Sequence, residues 1–232
     1  MSFTKHYNDM YKEEKVTKPN LIVYKDWPTN RFEFAICNAN GGEAICDVGC
    51  GDGSILYSLK DKYSQFIGFD VSDKRLEIAK HHCKDLNAQF FNNRFDEEIH
   101  LPSNSIDTII CLDVLDHMVD VRQAIRNFYN ILKQDGQLIL SVPNVARIDQ
   151  RLRLLFGKFP STATKNEGIA KEGDCQLIDG GKFNYFTFNS ITQLLEEVGF
   201  SKIEKFGIGK YKRIHNIYPE LLSGSISLIC IK

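Results

Sequence analysis

The chain has 232 residues, with 29 Lys and Arg against 30 Asp and Glu, a formal charge of −1. At 43% hydrophobic and near neutrality, it excludes a disordered chain and a globally basic nucleic-acid binder. A domain of this size buries roughly 70% of its unfolded surface, so it needs neither disulfide nor metal to fold.

The first twenty residues are polar, with no leader-like apolar run, and no stretch reaches the roughly 20 apolar residues of a membrane span. The seven cysteines fit no common zinc or disulfide spacing. They are expected to be reduced, buried small apolar residues. The expectation is a cytoplasmic protein without a metal.

Taken in order, residues 31–40 read as a helix stopped by Gly41-Gly42. A strand follows at 43–48 (EAICDV), then a helix at 54–62 with Ile55, Leu56 and Leu59 on one side. A second strand at 65–69 precedes a helix at 74–86, with Ser72 or Asp73 as its cap. Strands at 88–91 and 105–112 come next; the latter is almost continuously apolar, as a strand covered on both faces should be. A helix at 121–132 ends at Lys133-Gln134-Asp135-Gly136, and a strand at 137–142 ends at Pro143.

The rhythm then breaks from 144 to 182, where 147–156 reads as an amphipathic helix. It resumes with a helix at 189–198, Gly199 as a stop, and strands at 201–206 and 225–231. This predicts an α/β fold. A Rossmann-like, seven-stranded, mostly parallel sheet with an antiparallel last strand carries helices on both faces. The whole chain, 1–232, reads as one domain, with a lid and helix at 1–40 and a cap insertion at 144–186.

The most informative stretch is Asp47-Val48-Gly49-Cys50-Gly51-Asp52-Gly53, where a strand passes into a helix. Glycines there let the backbone turn sharply and approach a ligand. Asp70 ends the next strand, 19 residues after Gly51, where a carboxylate is placed to accept hydrogen bonds from a ribose. Ser54 stands where a dinucleotide motif wants its third glycine. Asp47 and Asp52 would repel a pyrophosphate, so a cationic, phosphate-free ligand such as S-adenosylmethionine fits better.

These residues resemble the class I S-adenosylmethionine-dependent methyltransferases. AICDVGCGDGSIL is similar to their first motif and FIGFDVS to the acidic second one. SIDTIICLDVLDHMVD resembles the fourth-strand motif, and LKQDGQLILSVPN the motif after it. The later part, SVPNVARIDQRLRLLFGKF and FNYFTFNSITQLLEEVGF, resembles a particular branch. That branch includes ubiquinone-biosynthesis O-methyltransferases and methionine-biosynthesis accessory proteins. Its members often carry a His and an Arg before the last aromatic run, where this chain has Lys182 and Asn184.

The resemblance implies S-adenosylmethionine as cofactor. Asp47, Gly49 and Gly51 would meet its methionine end, Asp70 the ribose, and Val71 the adenine. Asn93, Arg94 or Asp96 would meet the adenine amine, while Leu112 and Asp113 would lie beside the methyl. Capping the segment beyond the fourth strand is an alternative role for Asp113 and Asp116.

Methyl transfer to an alcohol needs a proton acceptor, and His117 and Asp113 are the candidates. Tyr7, Met10, Tyr11, Tyr24 and Trp27 supply aromatic faces for a lid. Two segments are basic: Arg147, Arg151, Arg153, Lys158 and Lys165, then Lys202, Lys205, Lys210, Lys212 and Arg213. They favour a small anionic acceptor, with Arg147, Lys210 and Arg213 as its binding residues, and O-methylation as the expected reaction. Two other readings keep the fold: a silent accessory protein acting through a partner, and an RNA methyltransferase. No DNA partner is expected.

Overall fold

The computed structural model describes residues 8, 11–24, 26–162 and 181–232. Seven strands form one sheet: β1 (Ala44–Val48), β2 (Gln65–Asp70), β3 (Ala88–Asn92), β4 (Ile106–Leu112), β5 (Leu132–Pro143), β6 (Lys202–Phe206) and β7 (Ser225–Ile231). Their order is β3-β2-β1-β4-β5-β7-β6. The first five pair in parallel. β7 runs antiparallel between β5 and β6, so β6 points the same way as the parallel strands. This is the predicted architecture.

Helices that cover the sheet are α1 (Arg31–Asn38), α3 (Asp73–His82), α4 (Val121–Ile131) and α6 (Phe188–Val198). The others are α2 (Ser54–Ser58), α5 (Ile148–Leu155) and α7 (Pro219–Leu222). Alternation along β4 explains the two cores. Ile109 and Cys111 pack with Phe128 of α4 and Leu195 of α6 on one face. Ile110 and Leu112 pack with Phe34 of α1 and Leu56 of α2 on the other. Burial of each such side chain is worth about 1.5–3 kcal/mol.

Caps fix where the helices begin. Asn30 accepts from the N–H groups of Phe32 and Glu33, and Ser72 accepts from Arg75. Thr187 and Ser190 form a reciprocal capping box on α6. Asp120, not Asp113 or Asp116, caps α4 by accepting from Gln123 N at 2.9 Å.

Several ends differ from the predicted ones. α1 stops at Asn38, because Ala39 is already extended, before the two glycines. α2 has a single helical stretch of 5 residues; Leu59 is buried beyond it in a turn. Residues 133–136 do not stop at α4 but lie within β5, bulged out opposite Asp107. Lys133 holds the bulge by donating to Asp107 at 2.9 and 3.0 Å. The predicted helix at 147–156 forms as α5, yet Leu155 and Phe156 are each 74% exposed.

Cys46, Cys50, Cys83, Cys111 and Cys230 are buried free thiols, as expected, and Cys37 is half-buried. Cys175, Tyr7, Met10 and residues 163–180 of the predicted cap, with Lys165, lie outside the described residues. Among the described residues, no helix is long and apolar enough to cross a membrane.

Candidate active site

The order of strands reverses between β1 and β4, and ligands bind in such sheets at the crevice beyond their carboxyl ends. The glycine turn enters this crevice directly from β1. Gly49 N and Cys50 N both donate to Phe69 O, at 2.7 and 2.9 Å, which fastens the turn to β2. Gly49, Gly51 and Gly53 have φ of 79°, 54° and 77°, a region that L side chains rarely adopt.

Gly49 has a second constraint. A Cβ built there would stand 2.2 Å from Val114 Cγ2. Left-handed strain and overpacking together predict that Gly49→Ala costs about 2–4 kcal/mol of stability. Urea unfolding checks this, and adding Val114→Ala should recover only the packing part.

Three acids surround the turn. Asp70 accepts from Gly51 N through one oxygen and from Ser72 N through the other, both at 2.9 Å. Burial raises its pKa, opposed by those N–H groups and by Arg75. Asp52 turns back on α2, accepting from Ser54 N at 3.1 Å and Ser54 Oγ at 2.9 Å.

Asp47 is 1% exposed, and its Oδ2 has no hydrogen-bond partner among the described residues. Burial, with repulsion from Asp70 and Asp52, pushes its pKa up to about 8. A buried acceptor lacking a donor, behind a glycine cradle, fits a cationic ammonium.

At the next edge, Asn93 follows β3, which places it beside Asp70 through the Asp70–Asn92 register. Arg94 and Asp96 are paired at 2.7 Å, and Asp96 also accepts from Val119 N and Asp120 N. That pair therefore holds the loop after β4.

Asp113 directly follows β4 with φ +54°, unusual for a residue other than glycine. Its N–H donates to Ser141 O of β5 at 2.8 Å. Its carboxylate meets Arg31, the first residue of α1, at 3.0 Å. Sequence reading does not single out Arg31, since only closure of the fold brings it to β4.

Beyond Asp113, a 3-10 turn carries Leu115–His117. His117 Nδ1 lies 3.2 Å from Gly181 O, and Nε2 lies 3.6 Å from Asp116 Oδ2. Asp116 is paired with Lys182 at 3.0 Å, and both side chains are at most 2% exposed. Phe183 N and Asn184 N donate to Asp116 O, and Asn184 Nδ2 donates to Met118 O. Lys182 and Asn184 thus fasten the return from the insertion onto the loop after β4.

The N-terminal segment crosses the same edge. Asn8 bonds Asp73, the Arg75 guanidinium lies 4.6 Å from the Tyr11 ring centroid, and Glu14 pairs with Arg75 at 3.4 Å. His82 bridges Thr17 O and Asp52 O at 2.7 and 2.8 Å. Trp27 Nε1 donates to Gly207 O.

The outer basic residues are engaged. Arg147 pairs with Asp149 through two contacts. Lys212 and Arg213 each stand 3.6 Å from Asp26. Because β6 is parallel to the main strands, the link after it, with Lys210, leaves on the crevice edge.

A methyltransferase-domain family model matches residues 24–205, and the chain belongs to that family, as a class I S-adenosylmethionine-dependent methyltransferase. Curated relatives include ubiquinone biosynthesis O-methyltransferases. That of Aliivibrio fischeri is 28% identical over 118 residues, covering 49% of this chain and 50% of the relative. That of Haemophilus ducreyi is 30% identical over 122 residues, covering 49% and 52%. The chain thus spans about half the length of the curated relatives it matches. Among solved structures, an S-adenosylmethionine-dependent methyltransferase from Mesorhizobium loti superposes with a TM-score of 0.62. It is 20% identical and is covered over 98% of its length by 88% of this chain. One from Archaeoglobus fulgidus gives 0.59 at 18% identity, with 87% of this chain covering 91% of it. These likenesses bear on the fold.

Proposed function

We propose that this chain O-methylates a small anionic acceptor. The observation that carries the cofactor half is Asp47, a buried acceptor with an open lone pair behind the glycine cradle. When bound, S-adenosylmethionine supplies an electrophilic methyl carbon on a cationic sulfur. Asp47, Gly49 and Gly51 hold its ammonium end, Asp70 its ribose, and Val71 and Asn93 its adenine. Leu112 and Asp113 border the methyl. Residues 11–24 cover the bound cofactor as part of a lid.

The chain's own residues then position the acceptor and take its proton. With S-adenosylmethionine bound to supply the methyl, Asp113 or His117 would take the proton of the acceptor hydroxyl. Positioning at near-attack distance does much of the rest. His117 serves only if Nε2 turns from Asp116 toward the acceptor.

His117→Ala should lower turnover about 10²–10⁴-fold, with cofactor affinity unchanged. Unaltered turnover would leave the proton to Asp113. Calorimetry with S-adenosylmethionine tests the cofactor, and radiolabelled methyl transfer onto small hydroxy acids, sugars and tRNA tests the acceptor. Binding without transfer to any of them would favour an accessory role.

A further inference from the structure

The acceptor's charge must be read close to the transferred methyl if it is to position the reacting oxygen. The outer basic residues are poorly placed for this. Arg147 is spent on Asp149, and Arg213 faces Asp26 and the Trp27 ring, 5.6 Å from its centroid. β6 stands three strand spacings from β4, roughly 14 Å in the sheet.

Arg31 is different. α1 delivers it to the end of β4, where Nη1 meets Asp113 Oδ2 at 3.0 Å. Asp113 is in turn tied to β5 through Ser141, and Val114 beside it touches Gly49 of the cofactor turn. The Arg31 side chain is 39% exposed. Its Nε is buried and has no hydrogen-bond partner among the described residues.

A guanidinium is a planar fork. With Nη1 on Asp113 and Nε buried, the second Nη is the group left to donate to an oxygen of a carboxylate or phosphate. We propose that Arg31 binds the anionic group of the acceptor through this group. The acceptor is then a hydroxy acid or hydroxylated phosphate ester whose hydroxyl lies beside Asp113. Arg31 acts as the specificity residue, and Asp113 both orients it and faces the reacting hydroxyl. This inference rests on the methyltransferase reading of the site.

The test is calorimetric, on the full chain. S-adenosylhomocysteine is titrated first, and failure to bind overturns the cofactor reading itself. Benzoate, phenyl phosphate and the neutral benzyl alcohol are then titrated with and without S-adenosylhomocysteine. The two conditions keep the role of Arg31 decidable even if the cofactor does not bind. Wild type should bind at least one of the two anions at least tenfold more tightly than benzyl alcohol. Which anion wins distinguishes carboxylate from phosphate.

Arg31→Gln should abolish the preference, while Arg31→Lys keeps part of it. The melting temperature and cofactor affinity of each variant report on folding. Asp113→Asn should strengthen anion binding, because a competing carboxylate charge is removed. The proposal is overturned if Arg31→Gln keeps the wild-type preference, if wild type has none, or if Arg147→Gln or Arg213→Gln abolishes it instead.

Discussion

Asp47→Asn should abolish the proton release that accompanies cofactor binding near pH 7. In the ligand-free chain Asp47 holds its proton up to about pH 8. A bound ammonium favours the carboxylate, so wild type should release about one proton per S-adenosylhomocysteine at pH 7. Titrations in phosphate and Tris will differ in heat by that proton's transfer to buffer. Wild-type affinity should also fall by up to about tenfold per pH unit below pH 8. The asparagine variant should show neither effect and bind about 10- to 100-fold more weakly at pH 8. Equal proton release in both proteins would remove Asp47 from the site.

The same shift acts on folding, with the opposite benefit. The unfolded carboxyl titrates near its ordinary value of 3.8, the folded one near 8. The contribution to stability is therefore complete below about pH 4 and is lost as pH rises through 8. The full loss is on the order of 5 kcal/mol. Ligand-free Asp47→Asn should melt well above wild type at pH 9 and close to it at pH 5.

Lys182→Met should destabilise the chain by about 3–5 kcal/mol, since it leaves the Asp116 carboxylate buried without its cation. Neither Asp116 oxygen has an aligned hydrogen bond among the described residues, so Lys182 at 3.0 Å is its principal compensation. Adding Asp116→Asn should restore most of the loss, because a neutral amide is far cheaper to bury than a lone charge. Urea midpoints of the two singles and the double give the coupling directly. A loss below 1 kcal/mol for Lys182→Met would mean that water or movement of the loop relieves Asp116.

The parts of the site that were legible in the sequence are those tied to local geometry. One strand–helix–strand unit carries the chain from Gly51 to Asp70, so their spacing foretells the 2.9 Å contact between them. The alternating pattern foretold the sheet because buried parallel strands leave apolar runs of recognisable length. Apolar spacing reports burial, however, not helicity. Leu59 is buried outside α2, which made that helix look longer than it is. In α5 the same spacing overstated burial, as the exposure of Leu155 and Phe156 shows.

What escaped the sequence are pairs made by closure of the fold. Arg31 with Asp113 and Asp116 with Lys182 join residues far apart in the chain. No periodicity links them. Asp96 is a similar case: as a loop acid it looked fit to meet a ligand, but its partners are Arg94 and two backbone N–H groups.

The placement of β7 between β5 and β6 bears on how the chain is assembled during synthesis. β5 has one free flank until residues 225–231 leave the ribosome, and β6 has no partner strand before then. At roughly 5–20 residues per second, residues 144–224 take about 4–16 s to make. For that interval a nascent chain presents an apolar strand edge of the kind that recruits other strands. Demand for chaperones should therefore peak while residues 144–224 are made and end when β7 slots into place.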